Sequence, residues 1–251
     1  MINNTDSIYS QLVPIEYPKV GETPSSCRVG VVNLATAKTN WIDIPGDASQ
    51  HYLVRMEFIP STNKLLLQQL NRKQNKSILF VADALKGSTT VIQEESDEAW
   101  VSLFQIGSKY KIDYTNNFSF LKESNSILCA SAKDGWRHLY QVSLEGKPEI
   151  LITKGEFDVI DLKHVSSRDG YVYYLASPDN ATQRYLFKSK LNGKGENILL
   201  SQENLKGSHD YSFSSNGSYA EHSFSNHFTP NVKEFISIRN HKVIGDQKNI
   251  A

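Results

Sequence analysis

The side chains most able to do chemistry in this chain are seven histidines, two cysteines and the paired glutamates Glu94-Glu95. His209-Asp210 and His222 with His227 are the histidine candidates for catalysis or metal binding. On one continuous strand, positions i and i+5 point to opposite faces, so His222 and His227 cannot chelate together, and surface histidines are the expected reading. His138 lies inside Trp136-Arg137-His138-Leu139-Tyr140, where Trp and Tyr are expected to pack between sheets and the polar groups to find backbone partners. Cys27 and Cys129 have no Cys or His at metal-ligand spacing, which sets a zinc site aside and predicts two small core residues on strands. Glu94-Glu95 falls at a predicted strand end and reads as a solvated acidic pair. A serine hydrolase of the α/β class would need G-x-S-x-G, a strained turn that lifts the serine above its sheet, and the chain has none. No cofactor or metal is expected.

The elements that would position these groups carry 27 basic and 27 acidic side chains in 251 residues. Balanced charge gives no field to gather a polyanion or an anionic membrane, so nucleic acid is not an expected partner. No apolar stretch approaches the roughly 20 residues that span a bilayer, and the polar start Met1 to Ser10 lacks a signal pattern. The sequons at Asn3, Asn75, Asn117, Asn180 and Asn216 arise readily in a chain rich in Asn, Ser and Thr, and do not establish secretion.

The main signal is repetition. Met56-Glu57-Phe58-Ile59 turns through Ser61-Thr62-Asn63-Lys64 into Leu65-Leu66-Leu67. Phe118-Ser119-Phe120-Leu121 turns through Glu123-Ser124-Asn125 into Ile127-Leu128-Cys129. Leu162-Lys163-His164-Val165 turns through Arg168-Asp169-Gly170 into Tyr171-Val172-Tyr173, and Tyr211-Ser212-Phe213 through Ser215-Asn216-Gly217 into Tyr219-Ala220. Asn-Gly and Asp-Gly reach positive φ at low cost, and period-two flanks make these hairpins. Each is followed by two more apolar runs, such as Ile78-Leu79-Phe80-Val81 with Thr90-Val91-Ile92. Four strands per repeat is the content of a β-propeller blade.

The turns at Asn63, Asn125, Asp169 and Asn216 lie 62, 44 and 47 residues apart, against roughly 40–50 for blade repeats. An insertion around Trp100 to Asn116 lengthens the first interval. Arg28 to Leu34 and Asn40 to Ile44, split by Ala35-Thr36-Ala37-Lys38, read as the end of a preceding blade. The expectation is an all-β partial propeller of about four four-stranded antiparallel blades plus a remnant. Residues 1–21 form a possible extended arm and 22–251 the blades. Such an array would leave two sheet faces uncovered, which suggests part of a larger ring.

Several stretches, in order, resemble the propeller of the dipeptidyl peptidase IV family, serine exopeptidases of the prolyl oligopeptidase clan. They are Tyr17-Pro18-Lys19-Val20-Gly21, Val31-Val32-Asn33-Leu34, Pro45-Gly46-Asp47, His51-Tyr52, Gln69-Leu70-Asn71-Arg72-Lys73-Gln74-Asn75, Ala99-Trp100-Val101, Asp134-Gly135-Trp136-Arg137-His138-Leu139-Tyr140, Thr153-Lys154-Gly155 and Gln183-Arg184-Tyr185-Leu186. The resemblance implies the later half of an eight-bladed propeller whose partner is the α/β-hydrolase domain of a parent protein, restricting access to a buried Ser-Asp-His site. It implies peptide substrates with proline or alanine in the penultimate position, bound through the full-length enzyme, and a possible homodimer. A periplasmic or extracytoplasmic placement is implied as well. The family's paired glutamates for the substrate amine lie before the Tyr-Pro-Lys-x-Gly motif, so Glu94-Glu95 does not replace them. Within Ala99 to Gln105 the family places a Phe and an Arg that line outer substrate pockets. Phe104 matches the aromatic, while Gln105 departs from the arginine and puts its charge-assisted contact in doubt. The alternative is a stand-alone propeller used as an interaction scaffold, since one fold hosts many functions.

Overall fold

The computed structural model describes residues 2–4, 8–17, 19–103 and 119–246. A two-stranded hairpin, β1 (Ile2–Asn4) and β2 (Gln11–Val13), comes first, followed by the two-stranded sheet β3 (Gly30–Val32) and β4 (Thr39–Trp41). Four sheets of four antiparallel strands then follow. The first holds β5 (His51–Phe58), β6 (Lys64–Asn71), β7 (Lys76–Asp83) and β8 (Thr89–Ser96). The second holds β9 (Ser119–Leu121), β10 (Ser126–Ser131), β11 (His138–Ser143) and β12 (Ile150–Leu151). The third is β13 (Val159–Ser166), β14 (Tyr171–Ala176), β15 (Tyr185–Lys190) and β16 (Ile198–Leu199). The fourth is β17 (Ser208–Phe213), β18 (Tyr219–Ser225), β19 (Val232–Ser237) and β20 (Lys242–Asp246). Spatial order equals sequence order in every sheet, giving an open array of propeller blades.

The sequence specifies this array through runs that are apolar on both strand faces. In β6, Leu65, Leu66 and Leu67 are all fully buried. Alternation sends Leu65 and Leu67 against Val29 and Ile42, which flank β3 and β4. Leu66 goes the other way, against Ile127, Tyr140 and Val142 of the second blade. The same division recurs in β14, where Val172 and Tyr174 pack on Leu128 and Leu139, and Tyr173 and Leu175 pack on Tyr211 and Ile236. A strand covered on both faces reads as a continuous apolar run, and each fully buried Leu contributes ~1.5–3 kcal/mol. The core is therefore a series of layers between consecutive sheets.

The turns joining third to fourth strands carry a second repeat. Gly87, Gly146 and Gly193 all have positive φ, at 77°, 71° and 65°. A Cβ on Gly87 would stand 2.4 Å from the Trp41 carbonyl oxygen, and one on Gly193 would stand 2.4 Å from that of Leu151. These turns thus seat each blade on the last strand of the blade before it. In the fourth blade the left-handed position of this turn is His241, at φ 53°. Among the hairpin turns, Asn125, Gly170 and Gly217 take positive φ as their types predict, whereas Ser61 rather than Asn63 does so in the first blade.

Candidate functional site

The insertion between β8 and β9 carries Phe104 and Gln105, for which the family resemblance implies substrate contact, and its root is held by a specific clamp. Asp97 Oδ1 accepts hydrogen bonds from the backbone N–H groups of Ala99 (2.8 Å) and Trp100 (3.0 Å). These bonds hold the Asp97 carboxyl below its usual pKa. The Asp97 N–H donates to Asn75 O at 3.0 Å, and the Val101 N–H to Gln74 O at 2.9 Å. Gln74 can present that carbonyl because the β6–β7 turn is tied together by Asn71. Asn71 Oδ1 accepts from the N–H groups of Asn75 and Lys76, both at 3.0 Å, and Asn71 Nδ2 donates to Asn75 Oδ1 at 2.7 Å. Gln74 itself sits at φ 55°. The Asn71 to Asn75 motif is therefore the socket that fixes where the insert leaves the sheet. Phe104 and Gln105 lie outside the described residues.

Val101, Ser102 and Leu103 roof a cavity of about 30 Å³ between the first two blades, lined by Arg55, Gln68, Glu95 and Ser131 among others. Alternation on β8 separates the acidic pair. Glu94 points out to Lys76 (2.9 Å), while Glu95 points in and accepts from Ser131 Oγ at 2.7 Å. The pair is thus not jointly solvated as its sequence suggests. Burial raises the Glu95 pKa, opposed by Ser131 and Lys133 and reinforced by the charges of Glu149 and Asp97. Gln93, on the same face, donates to Glu149 Oε2 at 2.8 Å, and Lys133 Nζ meets that oxygen at 2.5 Å. Arg55, Gln93, Ser131, Lys133 and Glu149 were not apparent from the sequence. The one available signal was the i, i+2 spacing of Gln93 and Glu95.

Cys129 lines the same cavity, where burial, reinforced by Glu149, pushes its thiol up to about 12. Cys27 departs from expectation: it is exposed, in the segment ahead of β3. On the other side of Leu103 lies an open cleft of about 720 Å³, bordered by Cys27, Tyr52, Leu53 and Arg72. The Arg72 guanidinium stacks 4.7 Å over the Tyr52 ring. The exposed lining of the cleft is mostly apolar, with Lys19 and Arg72 contributing cationic groups. Trp136 also departs from expectation, being 40% exposed, while Tyr140 is buried in the core between the first two blades. His138 is buried, with Nδ1 2.8 Å from Asp134 Oδ2.

The histidines divide differently from the expectation of a wholly exposed set. His227 is exposed, but His209 and His222 are fully buried. Cross-strand register places Tyr211 opposite His222, and His222 opposite Glu234. His209 Nε2 lies 2.7 Å from Leu205 O, and its Nδ1 lies 2.9 Å from His222 Nε2. His222 Nδ1 lies 2.8 Å from Glu234 Oε1. His241 joins from the β19–β20 turn, with its ring 4.8 Å from that of His222 and its Nε2 2.9 Å from Tyr211 Oη. Burial pulls the pKa of both His209 and His222 down to about 4. Among the described residues no helix is long and apolar enough to cross a membrane.

Residues 1–231 match the family described as the dipeptidyl peptidase IV (DPP IV) N-terminal region. A dipeptidyl-aminopeptidase B of Aspergillus niger is 25% identical over 219 residues, covering 84% of this chain and 24% of the relative. The crystal structure of Porphyromonas gingivalis dipeptidyl peptidase 4 superposes with a TM-score of 0.78 at 24% identity, covering 99% of this chain and 33% of that one. That likeness is one of fold. The chain spans about a quarter of the length of the curated relatives it matches.

Proposed function

Because this chain belongs to the family of dipeptidyl peptidase IV N-terminal regions, we propose that it is the non-catalytic propeller portion of a dipeptidyl peptidase IV-like serine exopeptidase. Its task is to gate and shape substrate access for an α/β-hydrolase domain that releases N-terminal Xaa-Pro or Xaa-Ala dipeptides. The observation that carries this reading is the clamp on the insert. Asn71, Gln74, Asn75 and Asp97 fix the backbone from which Phe104 and Gln105 depart, beside a cleft of peptide size. A rigid root is what a substrate-facing loop needs if its contacts are to be reproducible. The lack of G-x-S-x-G supports the non-catalytic part.

We assign Phe104 and Gln105 to the outer part of the substrate surface, with Gln105 offering hydrogen bonds and no charge. The chain by itself is expected to release no chromophore from Gly-Pro p-nitroanilide. Turnover abolished by a serine-directed inhibitor would overturn its non-catalytic role. In the enzyme formed with its hydrolase domain, Phe104→Ala is expected to raise KM for tetrapeptides and longer substrates several-fold while leaving dipeptide p-nitroanilides and kcat unchanged. An equal effect on both substrate lengths would refute the assignment of Phe104.

A further inference from the structure

The histidine cluster of the fourth blade has a proton count that its own residues do not balance. His209 Nε2, at 2.7 Å from a carbonyl oxygen, must carry a proton. In the neutral ring Nδ1 is then an acceptor, so the 2.9 Å contact requires His222 Nε2–H to donate to it. That fixes the tautomer of His222 and leaves Nδ1 as a bare lone pair. The lone pair faces the Glu234 carboxylate at 2.8 Å, a meeting of two acceptors. A proton on one of the two groups or a bound cation would satisfy the pair.

A metal-ligating histidine normally donates its other N–H to an oriented acceptor, which fixes its tautomer and raises its basicity. The chain from His222 Nε2 through His209 to the Leu205 carbonyl is such a support. A third ligand lies close by, since donor atoms of His222, Glu234 and His241 all lie within 4.8 Å of one another, and His241 would exchange its contact with Tyr211 Oη (2.9 Å) or Gln202 Nε2 (3.4 Å) for the ion. His241 is also in an unusual backbone state. It occupies at φ 53° the turn position that the other three blades fill with Gly87, Gly146 and Gly193. A left-handed non-glycine residue persists where its surroundings over-determine it, often at functional sites.

We propose that His222, Glu234 and His241 bind a divalent transition-metal ion of the zinc type. Two neutral imidazoles and one carboxylate form a borderline donor set, which suits zinc and is poorly matched to calcium or magnesium. Glu234, with its side chain 21% exposed, gives the entry path, whereas His222 is buried behind it. The ion links β18, β19 and the β19–β20 turn, and so locks the fourth blade at its seam with the third. This site is separate from the substrate-facing reading above, and neither depends on the other.

The test uses the chain without a polyhistidine tag. Zinc uptake is read by competition with a chromophoric chelator and by metal analysis after gel filtration, and thermal unfolding is followed with and without zinc. One zinc ion per chain is expected, with a rise in Tm that EDTA reverses. His241→Ala and Glu234→Gln should each weaken zinc at least about 10-fold, while His227→Ala should leave uptake unchanged. Glu234→Gln also guards against misreading a folding defect, because its amide can donate to His222 Nδ1. This variant should be at least as thermostable as the metal-free wild type while failing to respond to zinc. Absence of zinc uptake by the wild type would overturn the proposal, as would uptake that survives both Glu234→Gln and His241→Ala.

Discussion

Lys163 offers a direct measure of how firmly consecutive blades are joined. Its ammonium lies 2.8 Å from Asp161 Oδ2, two residues away on β13, and 2.8 Å from Asp210 Oδ1 on β17 of the next blade. The lysine side chain is 8% exposed and the carboxylates are 17% and 22% exposed. Burial alone would lower the Lys163 pKa, but hydrogen bonds and charge from Asp161 and Asp210 outweigh it and raise it. Lys163→Met keeps most of the length of the side chain, without its ammonium, and leaves two carboxylates facing each other at the seam. Breaking a buried ion pair costs ~3–5 kcal/mol, and partial access of water to these carboxylates brings the expected loss to ~2–4 kcal/mol. The assay is urea unfolding followed by far-UV circular dichroism, with midpoint and slope both fitted. The triple variant Asp161→Asn, Lys163→Met, Asp210→Asn should recover most of the loss, because replacing a whole buried network is far milder than orphaning part of it. The pH dependence has a definite sign. A raised lysine pKa contributes stability that is present below the unfolded value near ~10.4 and is lost as pH climbs through the folded value. The gap between wild type and Lys163→Met should therefore be full at neutral pH and narrow above about pH 10.5. A single variant within about 0.5 kcal/mol of wild type at pH 7 would refute the reasoning, since that is the range of ordinary surface substitutions.

Two further outcomes follow from the cavity beneath the insert. Glu95, whose pKa is raised chiefly by burial, contributes stability below its ordinary value of 4.5 that is lost as pH rises through the folded value. Glu95→Gln keeps the bond from Ser131 and removes the charge, so it should raise Tm at pH 7 and give no gain at pH 4. A destabilised variant at pH 7 would refute this. Iodoacetamide at pH 8 should label Cys27 alone in the native chain, as read by intact mass. Cys129, with its thiol pushed to about 12, should react on the order of a thousandfold more slowly than an unperturbed thiol until urea is added. Rapid double labelling of native protein would contradict that burial.

The fold was legible because its information is local. Three of the four hairpins announce themselves by a turn residue suited to positive φ, and all by apolar runs long enough for a strand covered on both faces, as at Leu65 to Leu67 and Tyr171 to Ala176. The site was less legible because it depends on register between strands. Reasoning along one strand weighs His222 against His227, which lies beyond the end of β18, and it cannot find His222 with Glu234, which are twelve residues apart and directly opposite on β18 and β19. The same blindness merged Glu94 with Glu95, which alternation sends to opposite faces of β8. Cys27 and Trp136 misled for another reason. Residue type predicts burial only on average, and both lie in connecting segments outside the strands.

Aligning blades by their turns recovers some of what single strands hide. The third-to-fourth-strand turn lays its left-handed residue against the preceding blade, and glycine is favoured there because a Cβ meets a carbonyl, as the 2.4 Å approaches at Gly87 and Gly193 show. The fourth blade breaks this pattern with His241, and the departure falls beside buried His209 and His222, which contact each other at 2.9 Å while His209 Nε2 lies 2.7 Å from Leu205 O. A local rule broken where a polar network is also unbalanced is a sign of a residue kept for its side chain. Glu94-Glu95 shows the converse case. A suggestive pair in sequence carries no such departure in the backbone, and its two carboxylates find separate, ordinary partners in Lys76 and Ser131. Zinc binding at His241 would make backbone exceptions within a repeat a better guide to the chemistry-bearing residues of this chain than residue type or proximity in sequence.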